Sequence, residues 1–403
     1  MPESIQCRVR FITPAFLGGA DQSGQWRTPP FKALLREWWR LAASKDHGYN
    51  HQHLRKTEGL LFGHAWLKVN GKDNKTWAMQ GQVRLRLDEW RKGQLMEWPS
   101  GDRRELHPEV GKNGMRIDTH LYLGFGPLRH DKERRRTKLE KPPGINVDDT
   151  AAIKMMIPSE QWNAISHTLH LIHWFGTVGG RSRNGWGSIM LEKNNGYNPP
   201  AISDLLSGKA LDQLRPITRP LDVCLEKDWP HALGSDSQGV LLWKSNNSYS
   251  EWSSAMQELA RVKIAFRTAC SIKKNQDKEI HGRCNPCFDD RHLLAYPVTH
   301  HGVDGWVEKD REGNFKRDKR GEYLIQSKRL ANQLRFKVVK DNSNTYTCLA
   351  YHLPCGLPES LQKELGSGRI EPDRQLRVWQ EIHNVLDKEM QRITPLKEGG
   401  HDQ

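Results

Sequence analysis

The 403-residue chain has no apolar run of about eighteen residues or more, and its opening MPESIQCRVRF has neither the basic start nor the apolar stretch of a secretory signal. A membrane-spanning role is excluded on that pattern, and the expected compartment is the cytoplasm. Cysteine is scarce: seven residues, at 7, 224, 270, 284, 287, 348 and 355, are scattered and odd in number. That argues against a disulfide framework and for a reducing environment. Acidic charge is also in deficit, with 48 Asp and Glu against 62 Lys and Arg, a formal net charge of +14. The natural partner of such a surface is a polyanion. Phenylalanine and tyrosine, at 10 and 8, are outnumbered by 15 tryptophans. Most of those indoles must fill cores, but indoles also offer stacking faces to bases.

The length suits two domains. Residues 5–12, IQCRVRFI, alternate apolar with polar or basic side chains and predict a strand. After the turn FLGGADQSGQ comes RTPPFKALLREWWRLAA, where Pro29 and Pro30 suit a first helical turn. Helical spacing puts Phe31, Leu34, Leu35, Trp38 and Ala42 on a core stripe and Lys32, Arg36, Trp39 and Arg40 opposite it. That basic face is either a solvated surface or a phosphate-contacting one. Residues 45–150 are polar and irregular, with strand-like pieces QVRLRLDEW and THLYLGFGPL, and are expected to be a long insertion. Its basic stretch RHDKERRRTKLEK, residues 129–141, is expected to be a mobile loop.

SEQWNAISHTLHLIHWF predicts a helix capped by Ser159, with Trp162, Ile165, Leu169 and Ile172 in its apolar spacing. His167, His170 and His173 drift around that helix and make a poor metal set. The helix feeds into GTVGGRSRNGWG, residues 176–187, followed by a short strand. A helix before and a strand after exclude both a Walker A loop and a dinucleotide fingerprint. Gly179, Gly180, Gly185 and Gly187 permit positive φ and close approach, while exposed amides with Arg181 and Arg183 would cradle an anion. Trp186 either stacks on a base or anchors the loop to the core. Further on, RLANQLRFKVVK places Leu330, Leu334, Phe336 and Val338 on one side of a strand and Arg329, Arg335 and Lys337 on the other. EWSSAMQELARVKIAFR, residues 251–267, reads as a helix passing into a strand, and residues 373–393 read as a helix.

Taken together, ITPAFLGGADQ, RTPPFKALLREWWR and GTVGGRSRNGWGSI resemble motifs of the RAMP superfamily of CRISPR-associated RNA-binding proteins. The nearest likeness is subunit one of the Cmr-type (type III-B) effector complex. Lys32, Leu35, Arg36, Trp38, Trp39 and Arg40 match its P-x-x-K-x-x-L-R-x-W-W-R helix, and Gly179, Gly180, Gly185 and Gly187 match the superfamily's glycine-rich loop. The resemblance implies an α+β chain of tandem ferredoxin-like (RRM-like) domains. The first would span 1–200 with the insertion at about 45–150 and the glycine-rich loop; a second, divergent one would span 201–393, before a disordered tail at 394–403. It implies a non-catalytic RNA-binding subunit in antiviral defence, holding the 3′ part of the CRISPR RNA and helping capture target RNA beside other effector subunits. The expected RNA-binding residues are Lys32, Arg36, Trp39, Arg40, Gly179, Gly180, Arg181, Arg183, Trp186, Arg329, Arg335 and Lys337.

Two alternatives stay open. An endoribonuclease would draw on Asp21 in the GGADQ turn or on His47, His51 and His53, but no convergent acid and base set is visible. A scaffold would bind acidic protein neighbours without touching RNA. No cofactor is required, although Cys284 and Cys287 form a Cys-x2-Cys knuckle that, with His300 and with His281 or His292, is compatible with structural zinc.

Overall fold

The computed structural model describes residues 2–19, 21–68, 76–99, 101, 103–194, 196–269, 290–294, 307–318, 321, 323–326, 328–365 and 370–395. Its architecture mixes helices with two four-stranded sheets and several smaller ones. The first large sheet is built from β1 (Pro2–Phe11), β2 (Arg84–Leu87), β3 (Thr150–Pro158) and β4 (Ile189–Glu192). Two helices cross over between its strands: α1 (Thr28–Ala43) follows β1, and α4 (Trp162–Phe175) joins β3 to β4. Between α1 and β2 lies α2 (His51–Phe62), and between β2 and β3 the short α3 (Thr119–Gly124).

Spatially the strands run β4-β1-β3-β2, all antiparallel neighbours. Alternation explains which way the sheet faces: Ile5, Cys7, Val9 and Phe11 of β1, Ala151, Ile153, Met155 and Ile157 of β3, and Ile189 and Leu191 of β4 are all buried. Proline in the first turn of α1 costs no hydrogen bond, and the helix lays Phe31, Leu34, Leu35 and Trp38 into this core. Asn50 caps α2, its side chain accepting from the amides of Gln52 and His53 at 3.0 and 3.1 Å.

The second large sheet repeats the order of elements. β5 (Leu242–Lys244), α5 (Trp252–Arg267), β6 (Leu334–Lys340), β7 (Tyr346–His352), α6 (Pro372–Glu389) and β8 (Gln391–Arg392) follow in sequence, and the strands lie β6-β7-β5-β8. Both sheets thus place the last strand of their half beside the first, as in β4-β1 and β8-β5, with helices after the first and third strands. Leu334, Phe336 and Val338 join Cys348 and Ala350 in the core beneath α5 and α6, while Val339, Leu349 and Tyr351 join the core of the first sheet. The second sheet is therefore buried on both faces, and one face packs on the first half of the chain.

Several expectations change. THLYLG, which reads as a strand, is the helix α3, because the Asp118 side chain accepts from the Leu121 amide and starts a helical turn. The basic stretch expected to be mobile forms an antiparallel hairpin, Leu128–Asp131 with Arg136–Leu139, held by buried Leu128 and Leu139. The expected insertion contains β2, an integral strand of the first sheet. Ser159 opens a 3-10 turn rather than capping α4 with its side chain. No helix among the described residues is long and apolar enough to cross a membrane.

Candidate nucleic-acid interface

The glycine-rich loop folds onto the protein itself before it can present anything to a ligand. Gly179 has φ +99°, and a Cβ there would lie 2.8 Å from the Phe16 carbonyl oxygen. At Gly187, φ +63°, a Cβ would meet the Val178 carbonyl oxygen at 1.9 Å. Only glycine fits either position. The amides are also engaged: Gly180 donates to Phe16 at 2.9 Å, Asn184 to Arg181 at 2.9 Å, Gly185 to Ser182 at 3.1 Å and Gly187 to Pro14 at 2.9 Å. Gly185 packs against Leu259 and Met256. The amides of Gly180, Asn184, Gly185 and Gly187 are thus not an anion cradle, and the four glycines serve tight packing of the loop against the 14–17 segment and α5.

Trp186 is fully buried, ringed by Trp98, Phe16, His120 and Trp252 at centroid distances of 5.3, 5.6, 5.7 and 6.1 Å. It anchors the loop and offers no face to a base. Trp39 is 2 % exposed and meets Phe62 and His47 edge to face. The α2 helix covers it, which the periodicity of α1 alone could not reveal. The same helix supplies Glu58, 3 % exposed, whose carboxylate accepts from Arg36 at 2.6 Å and pairs with Arg40 at 3.5 Å. Two of the three cations on the α1 face therefore balance a buried carboxylate. Lys32 stays half-buried, its ammonium shifted down by burial and by Arg36.

The expected basic face of β6 is internal. Arg335, 6 % exposed, donates to Glu37 of α1 at 2.6 Å. Lys337, 0 % exposed, donates to the carbonyls of Ile172, His173 and Ile189 at 3.3, 2.6 and 2.7 Å, capping the C-terminal end of α4. Burial pushes its ammonium well below the usual lysine range. Arg183 donates to the Asn332 carbonyl at 2.9 Å and is half-buried in the same seam. These three cations join the halves of the chain. Alternation along β6 is as expected from Leu334 on, while Arg329 and Leu330, expected on the same strand, lie before it; what sequence could not say is that the second side of this sheet has protein on it.

What remains comes together in one groove of about 350 Å³. One wall is the turn after β1, with Phe16, Gly18 and Gln22; another is Phe125, Gly126 and Pro127 after α3. Arg129, Glu140 and Lys141 contribute from the basic hairpin, Gly180 and Arg181 from the glycine-rich loop, and Tyr323, Ile325 and Arg329 from the second half. Arg181 takes φ +57° and donates through Nε to the Phe125 carbonyl at 2.6 Å, so its guanidinium lies along Gly126. Among the described residues four cationic side chains face one carboxylate, Glu140, which Arg129 holds at 2.9 Å. Lys141 and Arg329 are exposed. Such a groove, basic and with few acidic groups, suits phosphates.

No protein-family model matches the chain, and no curated protein matches it. Solved structures do. The chain is similar to Cmr1. The crystal structure of Cmr1 from Pyrococcus furiosus in its apo form matches with 15% identity and a TM-score of 0.42, over 94% of this chain and 96% of that one. Two chains from cryo-EM structures of the Type III-B Cmr-beta also match. One, bound to cognate target RNA and AMPPnP in the presence of ssDNA, has 13% identity and TM-score 0.45 over 94% and 98% of the two chains. The other, bound to cognate target RNA, has 12% identity and TM-score 0.42 over 94% and 99%.

Of the expected site residues, only Gly180, Arg181 and Arg329 line the groove; Arg129, Lys141, Phe16 and Tyr323 do so without having been selected. The charge run at 129–141 was the signal for two of them. Cys284, Cys287, His281 and His300 lie outside the described residues. Among the described residues no group of three or more His, Cys, Asp and Glu could hold a metal ion. His173 is a core histidine, Nδ1 accepting from the Leu191 amide at 3.1 Å.

Proposed function

We propose that this chain is the first subunit of a type III CRISPR effector ribonucleoprotein and binds RNA in the groove between the turn after β1, the glycine-rich loop and Arg329. One observation carries the groove's role: Arg181 and Arg329, far apart in sequence, converge with Lys141 on a cavity whose single carboxylate among the described residues is already paired. Family and complex are taken from the motifs at 12–22, 27–40 and 176–189. The repeated order of elements in both halves supports reading them as tandem ferredoxin-like domains. The RNA would be the 3′ part of the CRISPR RNA and the complementary target, with neighbouring effector subunits alongside.

The role is read as binding without catalysis. The Asp21 carboxylate is engaged by the amide and hydroxyl of Ser23 at 3.1 and 2.8 Å, and His47 packs against Trp39. The test is filter binding of single-stranded RNA across a salt series, with Mg²⁺ present, followed by gel analysis of the recovered RNA. Salt-sensitive binding weakened by Arg329→Gln, with intact RNA, is expected. Affinity unchanged by Arg329→Gln and Lys141→Gln would remove the groove from the site, and cuts abolished by Asp21→Ala would make it an endoribonuclease.

A further inference from the structure

The back of the glycine-rich loop carries a second basic site. Where Arg181 faces the groove, Asn184 turns the other way: its Nδ2 donates to the Leu123 carbonyl at 2.7 Å, and its Oδ1 accepts from Lys263 of α5 at 2.9 Å. Lys263 also lies over the ring of Tyr122 of α3, 5.4 Å from its centroid. Arg267 stands one turn further along α5, on the same side. The Tyr122 hydroxyl is buried and meets no partner among the described residues.

The charges here do not balance. Lys263 is desolvated and flanked by two like charges, Arg267 and Arg181, with no carboxylate of the described residues acting on it; together these bring its ammonium down to about 7. Nearby Glu109 is held by both terminal nitrogens of Arg291, at 2.7 and 3.0 Å, and so is spent on another cation. Like charges four residues apart also destabilise a helix surface, partly offset by the place of Arg267 in its last turn. Among the described residues, a desolvated ammonium, a guanidinium and an unused phenolic donor lack one thing, an acceptor carrying negative charge.

We infer that Lys263, Arg267 and the Tyr122 hydroxyl, with Arg181 at its edge, form a phosphate-binding subsite beside the groove. Three donors of these kinds match the oxygens of a phosphate group. The group can belong to the backbone of RNA lying in the groove or to a free phosphate, and only the first source rests on the RNA reading above.

An amine-acylating reagent tests this directly, because a phosphate seated on Lys263 would shield its amine from the reagent. Labelling of Lys263 would be read by peptide mass spectrometry on the full chain in inorganic phosphate and in chloride of equal ionic strength, with exposed Lys363 as control. Phosphate is expected to slow labelling of Lys263 severalfold and leave Lys363 unchanged. That protection should vanish in Arg267→Gln and return in Arg267→Lys. Equal labelling in the two salts, or equal protection in Arg267→Gln, would overturn the subsite. A second arm uses single-stranded RNA. Protection by RNA assigns the phosphate to a backbone; RNA binding without protection, beside protection by inorganic phosphate, assigns it to a free phosphate. Absence of RNA binding would sink the groove reading while the phosphate arm stood.

Discussion

Arg335 on β6 donates to Glu37 on α1 at 2.6 Å, joining the second sheet to the first helix. Burial alone would raise the Glu37 carboxyl, but Arg335, with Arg183 and Arg40, more than offsets it and holds the group below the usual carboxylate range. An arginine removed from this seam leaves a desolvated carboxylate behind. Arg335→Ala is therefore expected to cost on the order of 3 kcal/mol in urea denaturation, and Glu37→Gln less, because the glutamine still accepts a hydrogen bond. A double-mutant cycle in which the two losses simply add would refute the coupling.

Gly187 and Gly48 separate the steric demand of the glycine-rich loop from the ordinary cost of positive φ. Both have positive φ, but nothing lies within 4 Å of a Cβ on Gly48, whereas one on Gly187 would sit 1.9 Å from the Val178 carbonyl oxygen. Gly48→Ala should cost roughly 1 kcal/mol. Gly187→Ala must move backbone and should cost several times that or prevent folding, as thermal melts of the two variants would show. Equal melting points would mean that the loop is free to relax.

How much of this was legible beforehand depends on where the partner of each face lies. The core stripe of α1, the strand at β1 and most of the helix expected over 373–393 follow from periodicity, because their apolar residues face protein wherever the chain goes; that helix stops at Glu389, and Gln391–Arg392 pair as β8. Trp39, Arg335 and Lys337 depart from the sequence reading for one reason. Each sits on the side opposite a recognised core stripe, and that side is covered by an element remote in sequence: α2 over Trp39, α1 and α4 over β6. A cation on such a face reads as exposed until tertiary packing is known. The glycine-rich loop was found correctly, but its glycines answer to Phe16 and Val178 rather than to a ligand.

That distinction sorts the cations by what they should do to RNA. Arg36 is committed to Glu58 and Lys337 to three carbonyls, so Arg36→Ala and Lys337→Met should alter stability and leave the salt dependence of RNA binding unchanged. Arg329→Gln and Lys141→Gln should instead leave the melt unchanged and reduce the slope of log affinity against log salt by roughly 0.7 for each phosphate that is no longer neutralised. A slope reduced by Arg36→Ala and not by Arg329→Gln would move the interface from the groove to α1.

Acid should destabilise the fold through two histidines buried in different cores. His173 of α4 and His383 of α6 are each pushed down to about 3, chiefly by burial; Lys337 adds to the first and Arg392 to the second, where Asp236 acts the other way. His383 is also hydrogen-bonded to His352 at 3.0 Å, and His352 is itself shifted well down by burial and by His383. The folded chain thus binds fewer protons than the unfolded chain between the two pKa values. Above about pH 6.5 both forms are neutral and the histidines contribute no pH dependence. As pH falls below that value the unfolded state takes up protons first, so stability drops progressively toward about pH 3. Lowered carboxyls such as Glu37 act in the same direction, but only nearer about pH 4. The window from about pH 6.5 to 5 therefore isolates the histidines. Urea melts across it should show falling stability in the wild type and a shallower fall in His383→Met, which removes one titrating group while filling similar space. An identical slope in the variant would show that His383 is protonated in the fold, and that its pairing with His352 tolerates the charge.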